Sequence, residues 1–510
     1  MLIARPTNTL AADSVRLAAW CFGNRGRPVR VRRPERRAGR ERVEAVSQQA
    51  TSRRLSSPLR RALLPLALAQ FICSFAGSNM NVMINDISRD LDTTVQGVQT
   101  AITLFLLVMA ALMIPGGKLT DLYGRKRCFT VGLLVYGAGA LISAISPNLG
   151  VLIIGNSILE GVGTALLIPP VYILTTLLFT DLSSRARAFG AISALGGIGA
   201  AAGPLLGGLI TEAISWRAAF IFQAMVIAAI VWLARSIKDP LPPDPTQPFD
   251  TGGAVLSAVG LILLVLGILA ADDNGWLMLI LIVSGSVVLA IFFLWVRRRE
   301  HAGKEPLLPT LLFRNRTSNL GLVTQNTQWL LLLGVSFVVS AYLQVVRGYD
   351  AIQTGVIFTA VTAGLLVSSL AADRLARRYA QRNLIVAGFL TSIAGVVLLL
   401  LMVSENSNVW TFVPGLLIIG LGLGGMLTPS VNVVQSSFPE HLQGEISGLS
   451  RSVSNLGSCL GTAIAGTILV AGITSTPGRS YALAMIALAA AATIGLLASL
   501  LIPRNLRPEG

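Results

Sequence analysis

The chain has 510 residues, of which 53% are hydrophobic and 13% are charged, and its mean hydropathy is +0.70. Since soluble globular proteins carry about 25% charged residues, this composition excludes a soluble domain and predicts an all-α integral membrane protein. The net charge of +16 would by itself suggest nucleic-acid binding, but its position in the chain argues against such a partner.

The first segment, residues 1–61, holds most of that excess, with fifteen arginines, four acidic residues and a net charge of +11. It has few aromatics and no sustained apolar period, so we expect a basic, disordered cytoplasmic tail. It also lacks the short apolar core next to Met1 that a secretory signal would have. The two readings left open are a tail near acidic lipid headgroups and an over-long start of the chain.

Apolar windows of about 20 residues are typical of membrane-spanning helices. Fourteen such windows begin near residues 62, 98, 129, 150, 188, 218, 252, 275, 319, 351, 383, 411, 446 and 480. An even number places both termini on one side. With that side cytoplasmic, 36 of the 40 Lys and Arg residues lie in cytoplasmic segments or at adjacent helix ends, all but Arg89, Arg217, Arg347 and Arg479. The positive-inside rule therefore predicts a plasma (inner) membrane protein with both termini in the cytoplasm.

An internal repeat relates the two ends of the chain. At a shift of 258 residues, Gly199, Gly203 and Gly208 match Gly457, Gly461 and Gly466. The predicted segments are two pseudo-symmetric six-helix bundles over 62–236 and 319–503, two additional helices over 252–296, a proline-rich cytoplasmic linker over 237–251, a basic cytoplasmic loop over 297–318 and a cytoplasmic tail over 504–510. Secondary transporters are often built from such repeats, with the substrate bound between them near the bilayer midplane.

The segment GGKLTDLYGRKR, residues 116–127, joins the second and third predicted helices. It resembles the loop signature of the major facilitator superfamily, G-x-L-x-D-x-x-G-R-K. The matching positions are Gly117, Leu119, Asp121, Gly124, Arg125 and Lys126. The resemblance implies that this loop latches the two halves on the cytoplasmic face in the outward-facing state.

The segment GIGAAAGPLLGG, residues 197–208, lies in the fifth predicted helix. Small residues at every fourth position allow another helix to pack closely, and a proline can bend the helix. The segment resembles the antiporter motif of the same superfamily, which is typical of exporters, at Gly199, Gly203, Pro204, Gly207 and Gly208. The next run, SWRAAFIFQ over 215–223, resembles a motif of the fourteen-span drug:proton antiporter branch, with Gln223 where Asn is usual.

Two charges that this resemblance implies are missing. Ala76 stands at the position of an Asp in the first helix, and Ser157 stands at the position of an Arg in the fourth. Glu160 has appeared where Gln is usual. Because an ionised carboxylate is costly inside a membrane, an acid in this place is a candidate for a functional group.

Glu160 is the candidate proton-coupling residue. Burial penalises the charged form of a carboxyl, so this side chain can take up a proton from one side and release it to the other as access alternates. The same carboxylate could attract a cationic substrate in competition with the proton. The alternative is a protonated acid that makes a structural hydrogen bond to Asn156 or to an amide of the first helix. Glu445 and Arg451, near the start of the thirteenth helix, are expected to form a structural pair.

Polar side chains on three helices are candidates to line a substrate cavity, and those of the first and fourth helices could instead hydrogen-bond each other. Regular helical spacing places Asn156, Glu160 and Thr164 on one face of the fourth helix. The first helix carries a similar stripe, and the ninth carries the run TQNTQW over 324–329. The candidate cavity residues are Gln70, Ser74, Ser78, Asn81, Asn156, Gln325, Asn326 and Trp329. Amides and hydroxyls of this kind suit moderately polar or cationic organic molecules.

These features predict a secondary active transporter rather than an enzyme. We expect a proton-coupled antiporter that acts as a monomer and exports drug-like or amphipathic organic compounds by alternating access. The proton gradient is the expected driving force and no cofactor is expected, since the sequence has neither a phosphate-binding loop nor a Cys/His metal cluster. Two alternatives use the same fold, namely a uniporter or importer of a dedicated metabolite and a non-transporting membrane receptor or scaffold.

Overall fold

The computed structural model describes residues 57–503, except residues 180, 238, 241, 244–247, 272–273, 377, 404–407 and 440–441. Nearly all of the expected tail over 1–61 lies outside the described residues, and so does the expected tail over 504–510. Parts of the expected linker over 237–251 lie outside them as well.

Long helices make up the described part of the chain. In chain order they are α1 (Ser57–Asn79), α2 (Val95–Tyr123), α3 (Arg125–Ala144), α4 (Leu149–Leu178), α5 (Leu182–Ala213), α6 (Trp216–Ala234), α7 (Thr251–Leu269), α8 (Gly275–His301), α9 (Arg316–Val346), α10 (Ala351–Ala376), α11 (Gln381–Met402), α12 (Phe412–Gln435), α13 (Gln443–Val470) and α14 (Pro477–Leu501). Thirteen of these described helices are each long and apolar enough to cross a membrane. The fourteenth, α5, is long and apolar enough when its two halves are taken as one span. The predicted all-α, fourteen-helix membrane architecture is confirmed.

The helices form two six-helix bundles with the same internal arrangement. In the first bundle, α1 packs against α5 and α6, while α4 packs against α2 and α3. In the second bundle, α9 packs against α13 and α14, while α12 packs against α10 and α11. The bundles meet where α2 contacts α13 and where α5 contacts α10. Each of these contacts joins the second helix of one bundle to the fifth helix of the other, as a pseudo-twofold axis requires.

Glycines on the fifth helix of each bundle explain this close packing. A side chain at Gly199 would collide with the backbone carbonyl of Phe71 in α1, and one at Gly203 would collide with Ser78. In the second bundle, Gly457 and Gly461 stand equally close to the backbone of α9. The absence of a Cβ atom therefore sets the distance between these helices in both bundles.

Helix α5 bends by 41° between Arg187–Ala200 and Ala202–Ala213. Pro204 has no backbone N–H, so it leaves the carbonyl of Ala200, four residues earlier, without its helical partner. The hydroxyl of Ser78 in α1 donates to this carbonyl at 3.1 Å. A proline in one helix and a serine in another thus fix the bend together.

The two additional helices, α7 and α8, pack against each other beside the contact of α2 with α13. Buried Asp250 begins α7, where its Oδ1 accepts from the backbone N–H of Gly253 at 3.0 Å and from Trp295 Nε1 of α8 at 3.0 Å. Its Oδ2 accepts from the N–H of Leu307 in the following loop at 3.1 Å. This one carboxylate ties the helix pair to the loop that leads into the second bundle.

Candidate functional site

A cavity of about 150 Å³ lies between the two bundles. The first bundle lines it with α1, α2, α4 and α5, and the second lines it with α9, α10 and α13. These helices include both pairs that join the bundles, so a tilt of one bundle against the other changes the cavity directly. This position matches the predicted substrate site between the repeats.

Four candidate residues of α1 and the turn after it line the cavity together: Gln70, Ser74, Ser78 and Asn81. The first three are spaced by four residues and therefore lie on one helix face. Gln70 Nε2 donates to Ser74 Oγ at 3.2 Å, which orients the amide along the cavity wall. Asn81 lies just beyond the last turn of α1, where the helix tightens into a short 3₁₀ turn.

The polar run of α9 divides between the cavity and the neighbouring helix. Trp329 lines the cavity. Gln325 and Asn326 instead face α13, where Gln325 Oε1 accepts from Ser450 Oγ at 2.7 Å and Asn326 Nδ2 donates to the carbonyl of Val453 at 3.0 Å. The structure thus uses these two amides to join α9 to α13 and leaves them outside the cavity lining.

Arg451 of α13 also lines the cavity, a position that its spacing in the sequence does not predict. The expected pair of Glu445 with Arg451 is wrong, because Glu445 accepts from Lys118 Nζ at 3.0 Å. The guanidinium of Arg451 instead donates to the hydroxyl of Tyr172 in α4 and lies 4.6 Å from the centre of that ring. The Tyr172 hydroxyl donates in turn to Gln70 Oε1 at 3.1 Å. The contact of Arg451 with Tyr172 crosses from the second bundle to the first, whereas the bond of Tyr172 to Gln70 stays within the first.

Glu160 lies in the core of the first bundle and not in the cavity lining. It ends a π-helical segment of α4, Ile153–Glu160, and such wider turns are rare and occur often at functional sites. The side chain is fully buried, and its Oε1 accepts from Ser143 Oγ of α3 at 3.5 Å. No group of the described residues donates a hydrogen bond to its Oε2, since the Tyr136 hydroxyl beside it donates to Gln223. Among the described residues, neither Asn156 nor an amide of α1 bonds to this carboxyl.

Polar groups of three helices surround the carboxyl of Glu160. The Tyr136 side chain of α3 lies beside it, and the Tyr136 hydroxyl donates to Gln223 Oε1 of α6 at 2.5 Å. Cys73, which belongs to the cavity wall, contacts the Thr164 hydroxyl one turn after Glu160, with 3.9 Å between the Sγ and Oγ1 atoms. The carboxyl is therefore sealed from the cavity but lies close behind its wall.

The other two polar positions of the π-helical segment also point away from the cavity. Ser157 Oγ donates to the carbonyl of Ala101 in α2 at 2.7 Å. Asn156 is buried, and its Nδ2 has no hydrogen-bond partner. Because the wider turn shifts the register of the helix, the stripe that regular spacing predicts for Asn156, Glu160 and Thr164 does not line a cavity.

The residues of the antiporter-like segment lie at helix contacts. Gly199, Gly203 and Gly207 face α1, whereas Gly208 faces the carbonyl of Ala351 at the start of α10, across the bundle interface. Pro204 lines the cavity. The motif thus supplies both the packing inside the first bundle and one of the closest approaches between the bundles.

The loop between α2 and α3 turns at Gly124, whose φ of +94° favours a glycine. Arg125 pairs with Asp121 at 2.6 Å, and the backbone N–H of Lys126 donates to Asp239 Oδ2 after α6 at 3.1 Å. Gly117 faces Pro169 in α4. All of these contacts stay within the first bundle or the segment that follows it.

Lys118 is the residue of this loop region that reaches the other bundle, through its ion pair with Glu445 at the start of α13. We call the end of the bundles that carries this pair the basic end. Lys118 lies inside the loop signature, so the sequence does point to this region. Its partner Glu445 is more than 300 positions away along the chain, so the sequence does not point to the pair.

Different contacts join the bundles at the opposite end. Gln344 at the end of α9 donates from Nε2 to the carbonyl of Asn81 at 2.8 Å and accepts from the N–H of Asn85 at 3.2 Å. The cavity therefore has inter-bundle contacts on both sides.

At that same end, Asp90 bonds to Trp216 and Arg217 at the start of α6. The Arg217 guanidinium holds the pKa of Asp90 below its usual range, and the hydrogen bond from Trp216 acts in the same direction. The conspicuous Trp-Arg pair of the sequence therefore fixes the junction between α1, α2 and α6.

Comparison with known proteins adds independent findings. The protein-family model described as Major Facilitator Superfamily matches residues 66–258 and 251–462. The chain is 31% identical over 412 residues to the puromycin resistance protein of Streptomyces alboniger, with 80% of this chain and 81% of that protein covered. It is 27% identical over 416 residues to the multidrug resistance protein Stp of Mycobacterium tuberculosis, with 81% and 76% covered.

The fold is similar to that of a solved peptide transporter, POT, in complex with sulfate. The TM-score is 0.64 at 17% sequence identity, and the match covers 87% of this chain and 95% of that one. At this identity the likeness concerns the fold alone.

Proposed function

The chain belongs to the Major Facilitator Superfamily, and we propose that it is a secondary transporter that exports drug-like organic compounds. The observation that carries the proposal is the cavity between two pseudo-symmetric bundles, which is the expected place for a substrate in such a fold. Two relatives named for puromycin resistance and multidrug resistance support export of drug-like compounds. The protein is a transporter and not an enzyme.

Transport proceeds by rocking of the two bundles around the cavity. At the basic end, the pair of Lys118 with Glu445 and the contact of Arg451 with Tyr172 hold the bundles together. At the other end, Gln344 holds them through Asn81. Opening to either side requires one set of contacts to break while the other set is kept, which is the requirement for alternating access.

Protons drive the export, with Glu160 as the coupling group and no bound cofactor. Its carboxyl is buried, has no ion pair among the described residues and has one oxygen without a partner. A proton on Oε2 would let Glu160 donate to the oxygen of Tyr136, whose own proton goes to Gln223. Proton uptake therefore gives the orphaned oxygen a partner, and proton loss leaves a buried charge that the bundle must relieve by a change of packing.

The protein acts in the plasma membrane as a monomer, with both termini in the cytoplasm. The distribution of Lys and Arg supports this orientation, because the basic end then faces the cytoplasm. Compounds enter the cavity from the basic end and leave at the end that carries Asp90 and Arg217.

The test uses inverted membrane vesicles that contain the protein, an imposed pH gradient that is acidic inside, and anionic, neutral and cationic fluorescent compounds. We expect at least one compound to accumulate inside, and dissipation of the gradient should release it. Accumulation that ignores the gradient would overturn proton coupling and favour a uniporter for a dedicated metabolite. Failure to move any compound, together with a stable protein partner in a pull-down, would favour a receptor or scaffold.

A further inference from the structure

The central cavity carries a positive charge and no negative one. Among the described residues that line it, Arg451 is the only one that is a Lys, Arg, Asp or Glu. The other polar groups are amides and hydroxyls, with Gln70 and Asn81 on the first bundle and Ser454 and Asn455 on the second. Apolar and aromatic side chains form the rest of the wall.

No carboxylate in the described part of the chain pairs with Arg451. Its described contacts are the hydroxyl and the ring of Tyr172, which are both neutral. Glu445, the partner that the sequence suggests for Arg451, pairs with Lys118 instead. A guanidinium has five N–H donors, so most of its hydrogen-bonding capacity remains for a ligand. An uncompensated charge within a membrane span is costly, and an anionic ligand relieves that cost.

Glu160 does not offset this charge. Its side chain is fully buried in the first bundle, and its carboxyl faces Ser143 and Tyr136 of α3. A cationic compound in the cavity therefore meets the guanidinium of Arg451 and no carboxylate.

The geometry points to organic anions as the substrate class of this cavity. A carboxylate, sulfonate or phenolate of the substrate binds the guanidinium of Arg451 through charge-assisted hydrogen bonds. The aromatic part of the same molecule packs against Trp329 and Phe358, which line the cavity from α9 and α10. This inference rests on the proposed export function and assigns the kind of compound that is exported.

Binding of an anion at Arg451 also bears on the contact between the bundles. Arg451 belongs to the second bundle, whereas Tyr172 belongs to the first. An anion that takes over the guanidinium replaces a neutral partner in the opposite bundle. The substrate therefore loosens one of the contacts that hold the basic end together.

The test measures binding of two dyes with the same xanthene ring system to the purified protein in lipid nanodiscs, by fluorescence anisotropy at neutral pH. Fluorescein is anionic and tetramethylrhodamine methyl ester is cationic. We expect the full-length protein to bind fluorescein at least about tenfold more tightly than the cationic dye. Arg451→Gln should weaken fluorescein binding by about tenfold or more and leave binding of the cationic dye equal or stronger.

Two further variants separate charge from folding. Arg451→Lys keeps the charge and should retain most of the fluorescein affinity. Tyr172→Phe removes the competing hydroxyl but keeps the ring, and it should leave fluorescein affinity unchanged or increase it. Tighter binding of the cationic dye by the wild-type protein, or equal fluorescein binding by Arg451→Gln and wild type, would overturn the inference. Because binding needs no pH gradient, this result is independent of whether transport is coupled to protons.

Discussion

The two six-helix bundles share their backbone contacts but not their charges. In both, a glycine of the fifth helix lies against the backbone of the first, Gly199 against Phe71 and Gly457 against Asn326. The first bundle buries Glu160 in its own core, whereas the second presents Arg451 to the cavity. Close helix packing therefore requires glycine at equivalent positions in both copies of the repeat. The charged residues can differ between the copies, because in the proposed cycle they are balanced by a proton or by a ligand.

This division has a functional consequence. In the proposed cycle, a proton held inside the first bundle changes the packing of that bundle without occupying the cavity. A charge on the cavity wall meets the substrate and also touches the opposite bundle through Tyr172. In that cycle, proton exchange takes place inside the first bundle, and substrate binding takes place at the cavity wall formed by the second.

The largest expected effect follows from Glu160→Gln, which removes the ionisable group and keeps a side chain of similar size. We expect gradient-driven accumulation in inverted vesicles to fall to the level of vesicles without the protein, because no group in the first bundle then exchanges the proton. Exchange of labelled for unlabelled compound without a gradient should persist, since the cavity is unchanged.

The matched control for that variant is Glu212→Gln, at an exposed acid near the end of α5, which should transport like wild type. Uphill accumulation by Glu160→Gln at the wild-type level would show that the buried carboxyl has only a structural role.

The shared packing is tested by Gly457→Ala in α13. The added methyl group meets the backbone of Asn326, so we expect a loss of about 1–3 kcal/mol in stability, measured as a lower Tm of the purified protein. Gly448→Ala lies on the same helix in open space and should gain about 0.5–1 kcal/mol from helix propensity.

The pair Gly199→Ala and Gly190→Ala makes the same comparison in the first bundle, since a side chain at Gly190 also meets nothing nearby. If alanine at the buried position and alanine at the open position of the same helix change the Tm by the same amount, the glycines do not set the distance between the helices.

A smaller effect is expected at the basic end, where Lys118 and Glu445 are each about a quarter exposed. Reversing one charge, as in Lys118→Glu or Glu445→Lys, opposes like charges between the bundles and should cost about 1 kcal/mol. Initial export rates should change in both single variants, and the double reversal should restore them. Double variants no better than the single ones would mean that this ion pair does not hold the bundles together.

The smallest effect concerns Asp90, which is nearly half exposed, so that solvent screens its pair with Arg217. Because the pKa of Asp90 is lowered in the folded protein, the pair stabilises the fold fully above the ordinary Asp pKa of about 3.9. That stabilisation is lost as the pH falls through the lower folded pKa. The Tm advantage of wild type over Asp90→Asn should therefore be constant near neutrality and shrink in acid. An advantage that does not change with pH would show that the carboxylate contributes no pH-dependent stability.

Much of the fold was predictable from the sequence because its determinants are local. Apolar length, loop charge and the recurring glycines indicate the helices, their number and the two bundles, and the short loops are consistent with helices that neighbour each other. The α5 bend was predictable from Pro204, although its partner Ser78 was not, since that contact depends on how α1 packs.

The candidate site was only partly predictable from the sequence. Regular helical spacing cannot show that α4 contains a π-helical segment, and Asn156 and Glu160 lie outside the cavity lining. Amides that bond between helices, such as Gln325 and Asn326, look like cavity residues in a sequence. Arg451 lies near Glu445 along the chain, and only the docking of the bundles reveals that the acid pairs with Lys118 instead.

In the proposed cycle, Glu160 carries the proton that is exchanged for the exported compound. The most direct measurement follows proton movement and dye movement together in proteoliposomes that contain a pH-sensitive indicator, for wild type and for Glu160→Gln. We expect dye flux to drive a proton flux of opposite direction in wild type, and dye exchange in the variant to move no protons. Equal proton flux in both proteins, or dye flux without protons in wild type, would contradict it.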